Sequence, residues 1–133
     1  MDRICDNTIK VAEYLKKHAK VEWVNYAGLP DHADHALVQK YMGGRASGIL
    51  SFGVKGGFEA GGRFQDALKL ITRLVNIGDA KSLACHPAST THRQLSPAEM
   101  AKAGVSPDMV RLSIGIEHID DIIEDLEQAL AAV

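Results

Sequence analysis

Apolar residues recur at helical spacing in some stretches of the chain and gather into short β-branched runs in others. The first pattern predicts helices at residues 2–19, 34–41, 63–75, 96–104 and 119–132. The second pattern predicts strands at residues 21–26, 47–54, 81–86 and 109–116. Glycine-rich stretches at 43–48 and 55–62 should break the chain between elements. The alternating order α-β-α-β-α-β-α-β-α favours a two-layer α/β sandwich with a four-stranded sheet.

The segment 63–75 carries the clearest amphipathic pattern. Phe64, Leu68, Ile71 and Val75 fall on one side of a helix with this period, so we expect them to face the core. We therefore predict one continuous helix over all thirteen positions of RFQDALKLITRLV.

Side chains alternate across a strand, so each of the last two predicted strands has two distinct faces. The apolar face of strand 109–116 consists of Val110, Leu112, Ile114 and Ile116. The opposite face carries Arg111, Ser113 and Gly115. For strand 81–86, we expect Leu83 and Cys85 to face the core and Ser82, Ala84 and His86 to face the other way. Arg111 is then either a surface arginine on a solvated sheet face or a fork that binds a carboxylate through two parallel hydrogen bonds.

Composition places the chain among ordinary globular domains. Its 133 residues fit one domain, and 46% of them are apolar and 24% charged. No apolar run reaches the roughly 20 residues that span a bilayer, and the start MDRICDNTIK is too polar for a signal peptide. Two cysteines are too few for a disulfide framework. The net charge is −2, and the basic residues form no stripe of the kind that binds nucleic acid. We expect a cytoplasmic protein that binds neither membrane nor nucleic acid.

The stretch ACHPASTTHRQL at residues 84–95 combines one cysteine, two histidines and three hydroxyls. Zinc ligands are usually paired two to five residues apart, which Cys85, His86 and His92 do not match, so we predict no metal site. A nucleophilic cysteine needs a positioned base and an open, electropositive pocket, whereas Cys85 is expected in the core. The third alternative is a loop that begins at His86-Pro87, where proline ends the strand. A loop directly after a strand is also where scaffolds carry functional groups.

Two longer motifs resemble a known family. KSLACHPASTTHRQL and GVSPDMVRLSIGIEHIDDIIEDLEQAL look like the C-terminal part of the pyridoxal-phosphate-dependent transsulfuration enzymes of cysteine and methionine metabolism. VEWVNYAGLP, ILSFGVKGG, GDAKSL and HPASTTHRQL most resemble the O-acetylhomoserine sulfhydrylases within it. The resemblance covers about residues 3–130. It implies the small C-terminal domain of the fold-type-I enzymes, with a mostly antiparallel sheet and helices on one face.

The same resemblance implies that residues 1–133 are one domain of a larger enzyme. The family's large domain carries the Schiff-base lysine and the groups that bind pyridoxal phosphate, and their motifs are not found here. We therefore expect no catalytic residue and no bound cofactor in this chain by itself. The implied reaction of the intact enzyme exchanges the acetate of O-acetylhomoserine for sulfide or a thiol, which yields homocysteine or methionine.

Five residues receive roles from this resemblance. Arg111 matches the arginine that binds the α-carboxylate of the amino-acid substrate, and Ser82 matches a serine beside that carboxylate. Lys81, Thr91 and His92 would border the mouth of the active site. The expected partners are the large domain and other copies of the enzyme, which is usually a tetramer in this family. The alternatives are a stand-alone module that binds amino acids or carboxylates, and a pure oligomerisation domain.

Overall fold

Five helices and five strands make up the chain, and the computed structural model describes all of residues 1–133. The helices are α1 (Asp2–Lys17), α2 (His35–Met42), α3 (Gly57–Ala67), α4 (Pro97–Lys102) and α5 (Ile119–Ala131). The strands are β1 (Val21–Asn25), β2 (Ile49–Val54), β3 (Thr72–Arg73), β4 (Leu83–Cys85) and β5 (Met109–Ser113). A single 3-10 turn at Pro87–Ser89 follows β4.

The strands form one sheet in the order β1-β2-β5-β4-β3. Every neighbouring pair is antiparallel except β3 with β4, which is parallel. Helices α1, α3 and α5 pack together and against one face of this sheet. The predicted two-layer, mostly antiparallel architecture is therefore confirmed, with one strand more than expected. No helix in the structure is long and apolar enough to cross a membrane.

The core lies between the helical layer and the apolar faces of β2 and β5. Its fully buried residues from these strands are Leu50, Phe52, Val54, Val110 and Leu112, and Ile114 continues the same face just after β5. Phe64 of α3 meets Phe52 edge to face, with ring centroids 5.4 Å apart, which is a favourable aromatic geometry. The predicted apolar face of the last strand is thus confirmed for Val110, Leu112 and Ile114.

The predicted helix at 63–75 is wrong, because α3 ends at Ala67. The carboxylate of Asp125 in α5 accepts hydrogen bonds from the backbone N–H groups of Lys69, Leu70 and Ile71, at 2.9, 3.0 and 2.8 Å. Backbone donors that bind this carboxylate cannot also donate to the preceding helical turn. The chain leaves the helix, and its last part becomes the short strand β3.

The glycine-rich stretch 55–62 breaks the chain only at its start. β2 ends at Val54 and a turn follows at 55–56, as predicted, but α3 already begins at Gly57. Gly56 and Gly57 adopt φ values of +108° and +71° at the helix start, which favours glycine there. Gly61 lies inside the helix beside the ring of His86, where a Cβ atom would come within 2.6 Å of Nε2. Glycine here permits a close approach and does not stop the helix.

The predicted faces of strand 81–86 are reversed in the structure. Ala84 pairs with Leu112 and belongs to the core cluster, whereas Cys85 pairs with Arg111 and shares its face. The flanking Ser82 and His86 are fully buried as well. Alternation fixes which side chains share a face, but a three-residue strand of LAC offers too little hydrophobic contrast to show which face meets the helices.

The last strand is shorter than predicted. β5 ends at Ser113, and the backbone N–H of Ile116 donates to the carbonyl oxygen of Ala80 in the neighbouring loop. Ile116 is 51% exposed, so it does not continue the apolar face that was predicted for it.

Candidate functional site

A row of four side chains crosses the sheet on the face opposite α1, α3 and α5. Asn25 pairs with Ser51, Ser51 with Arg111, and Arg111 with Cys85, each directly across neighbouring strands. Directly paired residues of antiparallel strands point to the same side. Arg111 therefore lies in the middle of the sheet with small or polar neighbours on both sides.

This row forms the floor of an open cleft of about 500 Å³. Tyr26 and Asn25 at the end of β1 line one side, and Thr91 and His92 from the loop after β4 line another. Arg111 contributes to the same cleft. Three of the five residues singled out from the sequence, Arg111, Thr91 and His92, thus come together.

The guanidinium of Arg111 keeps most of its hydrogen-bonding capacity. Its one hydrogen bond within the chain runs from Nη2 to the carbonyl oxygen of Asn76, at 3.4 Å. Its Nε is buried without a partner, and the side chain forms no salt bridge. A planar fork with unused donors is suited to bind a carboxylate through two parallel hydrogen bonds.

Cys85 is buried under the loop that follows β4. Its Sγ lies 3.3 Å from Oγ1 of Thr90, and this hydroxyl donates to the carbonyl oxygen of His86 at 2.8 Å. Cys85 is only 2% exposed, and the polar partner of its thiol is a hydroxyl and not an imidazole. The arrangement is that of a packed thiol and not of a nucleophile with its base.

His86 has a structural environment. Its Nδ1 lies 2.9 Å from Oγ of Ser89, and its Nε2 lies 2.8 Å from the carbonyl oxygen of Pro107. The ring is fully buried and packs beside Phe58. The hydroxyls of Ser89 and Thr90 both bond to the His86 carbonyl oxygen, so the loop alternative for this stretch is confirmed. Nowhere in the structure do three histidine, cysteine or acidic side chains gather as metal ligands.

Tyr26 is a neutral donor at the edge of the cleft. Burial raises the pKa of its phenol above the usual value, although its hydrogen bond to the carbonyl oxygen of Ser47, at 2.9 Å, acts in the opposite direction. Burial has this effect because it disfavours the charged phenolate. The hydroxyl therefore keeps its proton at neutral pH and holds the end of β1 against the start of β2.

A family model described as Cys/Met metabolism PLP-dependent enzyme matches residues 1–131. The chain belongs to this family. It is 54% identical to O-acetyl-L-homoserine sulfhydrylase 1 of Thermus thermophilus over 130 residues, which are 98% of this chain and 31% of that protein. It is 49% identical to homocysteine synthase of Schizosaccharomyces pombe, of which it covers 30%. The chain thus spans just under a third of these relatives.

A solved structure agrees with the sequence comparison. The chain superposes with a TM-score of 0.90 and 45% identity on a crystal structure described as an O-acetylhomoserine (thiol)-lyase of Campylobacter jejuni. The match covers 98% of this chain and 31% of that one, and that protein carries a pyridoxyl-lysine. The fold described above is therefore the fold of the corresponding part of a PLP-dependent family member.

The residues of the present chain do not form a complete site for pyridoxal phosphate. No lysine lines the cleft that contains Arg111. Apart from Lys20, whose ammonium group binds carbonyl oxygens at the C-terminus, the lysines are exposed. The lysine that binds the cofactor must therefore come from outside this cleft.

Ser82 and Lys81 lie outside the cleft. Ser82 is fully buried, and its hydroxyl donates to Oε2 of Glu117 and accepts from the N–H of Gly115, both at 2.9 Å. Lys81 is exposed to solvent.

Several residues in and near the cleft were not predicted from the sequence. Asn25, Tyr26 and Ser51 line the cleft, and Glu117 binds Ser82. Ser51 sits at an alternating position of a predicted strand, which signals a second face. Only the strand order, with β5 inserted between β2 and β4, places it beside Arg111.

Proposed function

We propose that this chain is the C-terminal, substrate-binding domain of an O-acetylhomoserine sulfhydrylase. The intact enzyme would convert O-acetylhomoserine and hydrogen sulfide, or a thiol, into homocysteine or methionine and acetate, by replacement at the γ-carbon. The names of the most similar relatives support this reaction. The proposal for this domain rests on the guanidinium of Arg111, which lies in an open cleft and makes only one hydrogen bond within the chain.

The share of this domain in the reaction is substrate alignment. Arg111 binds the α-carboxylate of the amino acid through its fork, which fixes both the position and the plane of the substrate. A charge-assisted contact of this kind contributes about 1.5–3 kcal/mol. In the intact enzyme, pyridoxal phosphate would be held by residues outside this chain and would supply the electron sink for the chemistry. Alignment lowers the barrier by fixing the substrate before reaction, with no proton transfer by this domain.

Thr91 and His92 would border the mouth through which the substrate enters, since both line the cleft of Arg111. Oγ1 of Thr91 lies 2.8 Å from Nδ1 of His92, which fixes the imidazole orientation. The role of Ser82 in substrate binding and the place of Lys81 at the rim of the active site remain predictions. The partners proposed for the domain are its own large domain and further copies of the enzyme, in a cytoplasmic setting.

Substitution of Arg111 tests the proposal in the holoenzyme that contains this chain. We expect Arg111→Met to raise KM for O-acetylhomoserine by about tenfold to a hundredfold, since the lost contact is worth about 1.5–3 kcal/mol. Arg111→Lys should recover part of this loss, because an ammonium group keeps the charge and loses the fork. The measurement is steady-state kinetics with sulfide as the acceptor.

Arg63→Met serves as the matched control, because Arg63 is exposed on α3 in the helical layer, away from the cleft. It should leave KM unchanged. Equal effects of the two substitutions, or an unchanged KM in Arg111→Met, would refute the role of Arg111.

A stand-alone carboxylate-binding module is the second candidate, favoured by the same unpaired guanidinium. Calorimetry of the chain alone with homoserine, O-acetylhomoserine and methionine separates the two functions. Half of an active site offers few contacts against the cost of association, so the enzyme domain should bind in the millimolar range or not at all. Micromolar binding that disappears in Arg111→Ala would favour the module.

A further inference from the structure

Glu117 commits both of its carboxylate oxygens to one residue. Oε1 accepts the backbone N–H of Ser82 at 2.6 Å, and Oε2 accepts the hydroxyl of Ser82 at 2.9 Å. The same hydroxyl accepts the N–H of Gly115 at 2.9 Å. The Glu117 carboxylate forms no salt bridge, and the nearby Arg3 guanidinium donates to the backbone carbonyl oxygen of Glu117 at 3.2 Å. Hydrogen bonds to an ionised group are about twice as strong as neutral ones.

These contacts attach the loop at residues 76–82 to the end of β5. In the middle of this loop, Ala80 accepts the N–H of Ile116 at 2.9 Å, and Gly78 donates to Oγ of Ser113 at 3.2 Å. A Cβ atom on Gly115 would lie 2.3 Å from the Ala80 carbonyl oxygen. The 76–82 loop is therefore held at three successive points against the chain from Ser113 to Glu117, at and just after the end of β5, and the Glu117 carboxylate fixes the last of them.

The other end of the 76–82 loop reaches the proposed substrate site. Asn76 supplies, through its carbonyl oxygen, the one intramolecular hydrogen bond of the Arg111 guanidinium. Most of the loop is exposed, so it has little packing of its own to fix its position. The N–H of Leu74 fixes the near side of Asn76 through the carbonyl oxygen of Ala84, at 3.1 Å. The place of the Asn76 carbonyl, and with it the direction of the guanidinium, depends on this bond and on the contacts at the opposite end of the loop.

We propose that Glu117 is a positioning residue for substrate binding: by clamping Ser82, it sets the 76–82 loop and thereby the orientation of Arg111. This inference rests on the proposed function and assigns Ser82 an indirect role, through the loop, in place of direct contact with the substrate. Glu117 itself touches no reacting atom. Its loss should weaken carboxylate binding and have a much smaller effect on the chemical step, because Arg111 itself is still present.

The decisive experiment is a double-mutant cycle in the holoenzyme that contains this chain. We expect Glu117→Ala to raise KM for O-acetylhomoserine by about tenfold while kcat stays within about twofold. Glu117→Gln, which retains one acceptor oxygen and the side-chain shape, should show a smaller increase. In an Arg111→Met background, Glu117→Ala should have no further effect on KM, because the group through which it acts is gone.

Glu124→Ala is the matched control, since Glu124 is an exposed acid on α5 without a hydrogen bond. It should leave both kinetic parameters unchanged. An increase in KM that persists in the Arg111→Met background, or a loss of kcat at constant KM, would overturn the positioning role.

A parallel measurement on the isolated chain separates failure of this inference from failure of the proposed function. NMR titration with acetate follows the Arg111 Nε–H signal, and hydrogen exchange follows the amides of Gly78, Ser82 and Ile116. If the holoenzyme lacks sulfhydrylase activity, the function is wrong, and the clamp is then judged by this titration. Faster amide exchange together with a smaller acetate-induced shift of the Arg111 Nε–H signal in Glu117→Ala would support the positioning role of Glu117. An unchanged shift would reject this role.

Discussion

At the residue scale, two neighbouring glycines of α3 have opposite surroundings. A Cβ atom on Gly61 would come within 2.6 Å of Nε2 of His86, whereas a Cβ atom on Gly62 would meet nothing within 4 Å. His86 cannot easily move, because both of its ring nitrogens are hydrogen-bonded and the ring is fully buried. Packing against His86 therefore requires glycine at position 61, whereas glycine at position 62 only weakens the helix.

Substitution of these two glycines should therefore change stability in opposite directions. We expect Gly61→Ala to lower the free energy of unfolding by about 1–3 kcal/mol through overpacking against His86. Gly62→Ala should raise it by about 0.5–1 kcal/mol, because alanine reduces the entropy lost on helix formation. Urea denaturation of both variants and of the wild-type chain measures the difference. Equal stabilisation of the two would mean that the His86 ring yields easily.

At the element scale, α5 decides where α3 ends. Asp125 accepts three successive N–H groups of the segment after α3, and Gln128 donates to the carbonyl oxygen of Ala67 at 2.7 Å. Gln128 also donates to Oδ1 of Asp125 at 3.0 Å, so the two side chains act together. One turn of α5 thus satisfies both the last carbonyl of α3 and the free donors of the following segment.

Removal of the Asp125 carboxylate should destabilise the junction between α3 and β3. We expect Asp125→Ala to lower the free energy of unfolding by about 3 kcal/mol, because one buried and two part-buried backbone donors lose a charged acceptor. Glu124→Ala, which changes the exposed neighbour, should stay within about 0.5 kcal/mol of wild type. Hydrogen exchange of Lys69, Leu70 and Ile71 should accelerate in the first variant only. Unchanged protection of these amides would show that the cap is dispensable.

At the scale of the whole molecule, an apolar segment remains uncovered beside the edge strand β3. Leu74, Val75 and Ile77 are 49%, 48% and 59% exposed. Exposed apolar side chains next to an edge strand favour association with another surface. We propose that this segment would contact the large domain in the intact enzyme.

The isolated chain should therefore self-associate as its concentration rises. The double substitution Leu74→Lys with Ile77→Lys should shift it toward monomer, because the charges oppose burial of this segment. Leu37→Lys, on a residue of α2 that is 51% exposed, is the control and should change association little. Sedimentation velocity over a concentration series measures the effect. A wild-type chain that stays monomeric throughout would contradict the prediction.

Much of the candidate site could be predicted from the sequence. The alternating pattern of β5 placed Arg111 opposite the apolar face, and the motif around residues 86–92 indicated a loop with functional potential. The companions of Arg111 could not be predicted in this way. Ser51 and Asn25 come beside it only through strand pairing, and Glu117 reaches Ser82 from 35 positions along the chain.

The sequence by itself determined the order of most elements, the two-layer architecture and the face on which Arg111 lies, because these depend on local periodicity and on the side chains of single segments. The tertiary structure alone decided the end of α3, the orientation of β4 and the contacts that hold the 76–82 loop. Each of these depends on a hydrogen-bond partner or a packing neighbour from a distant element, such as Asp125 acting on a segment 54–56 positions away. Local sequence patterns cannot predict such partners, because these contacts form only when the sheet and the helices have assembled.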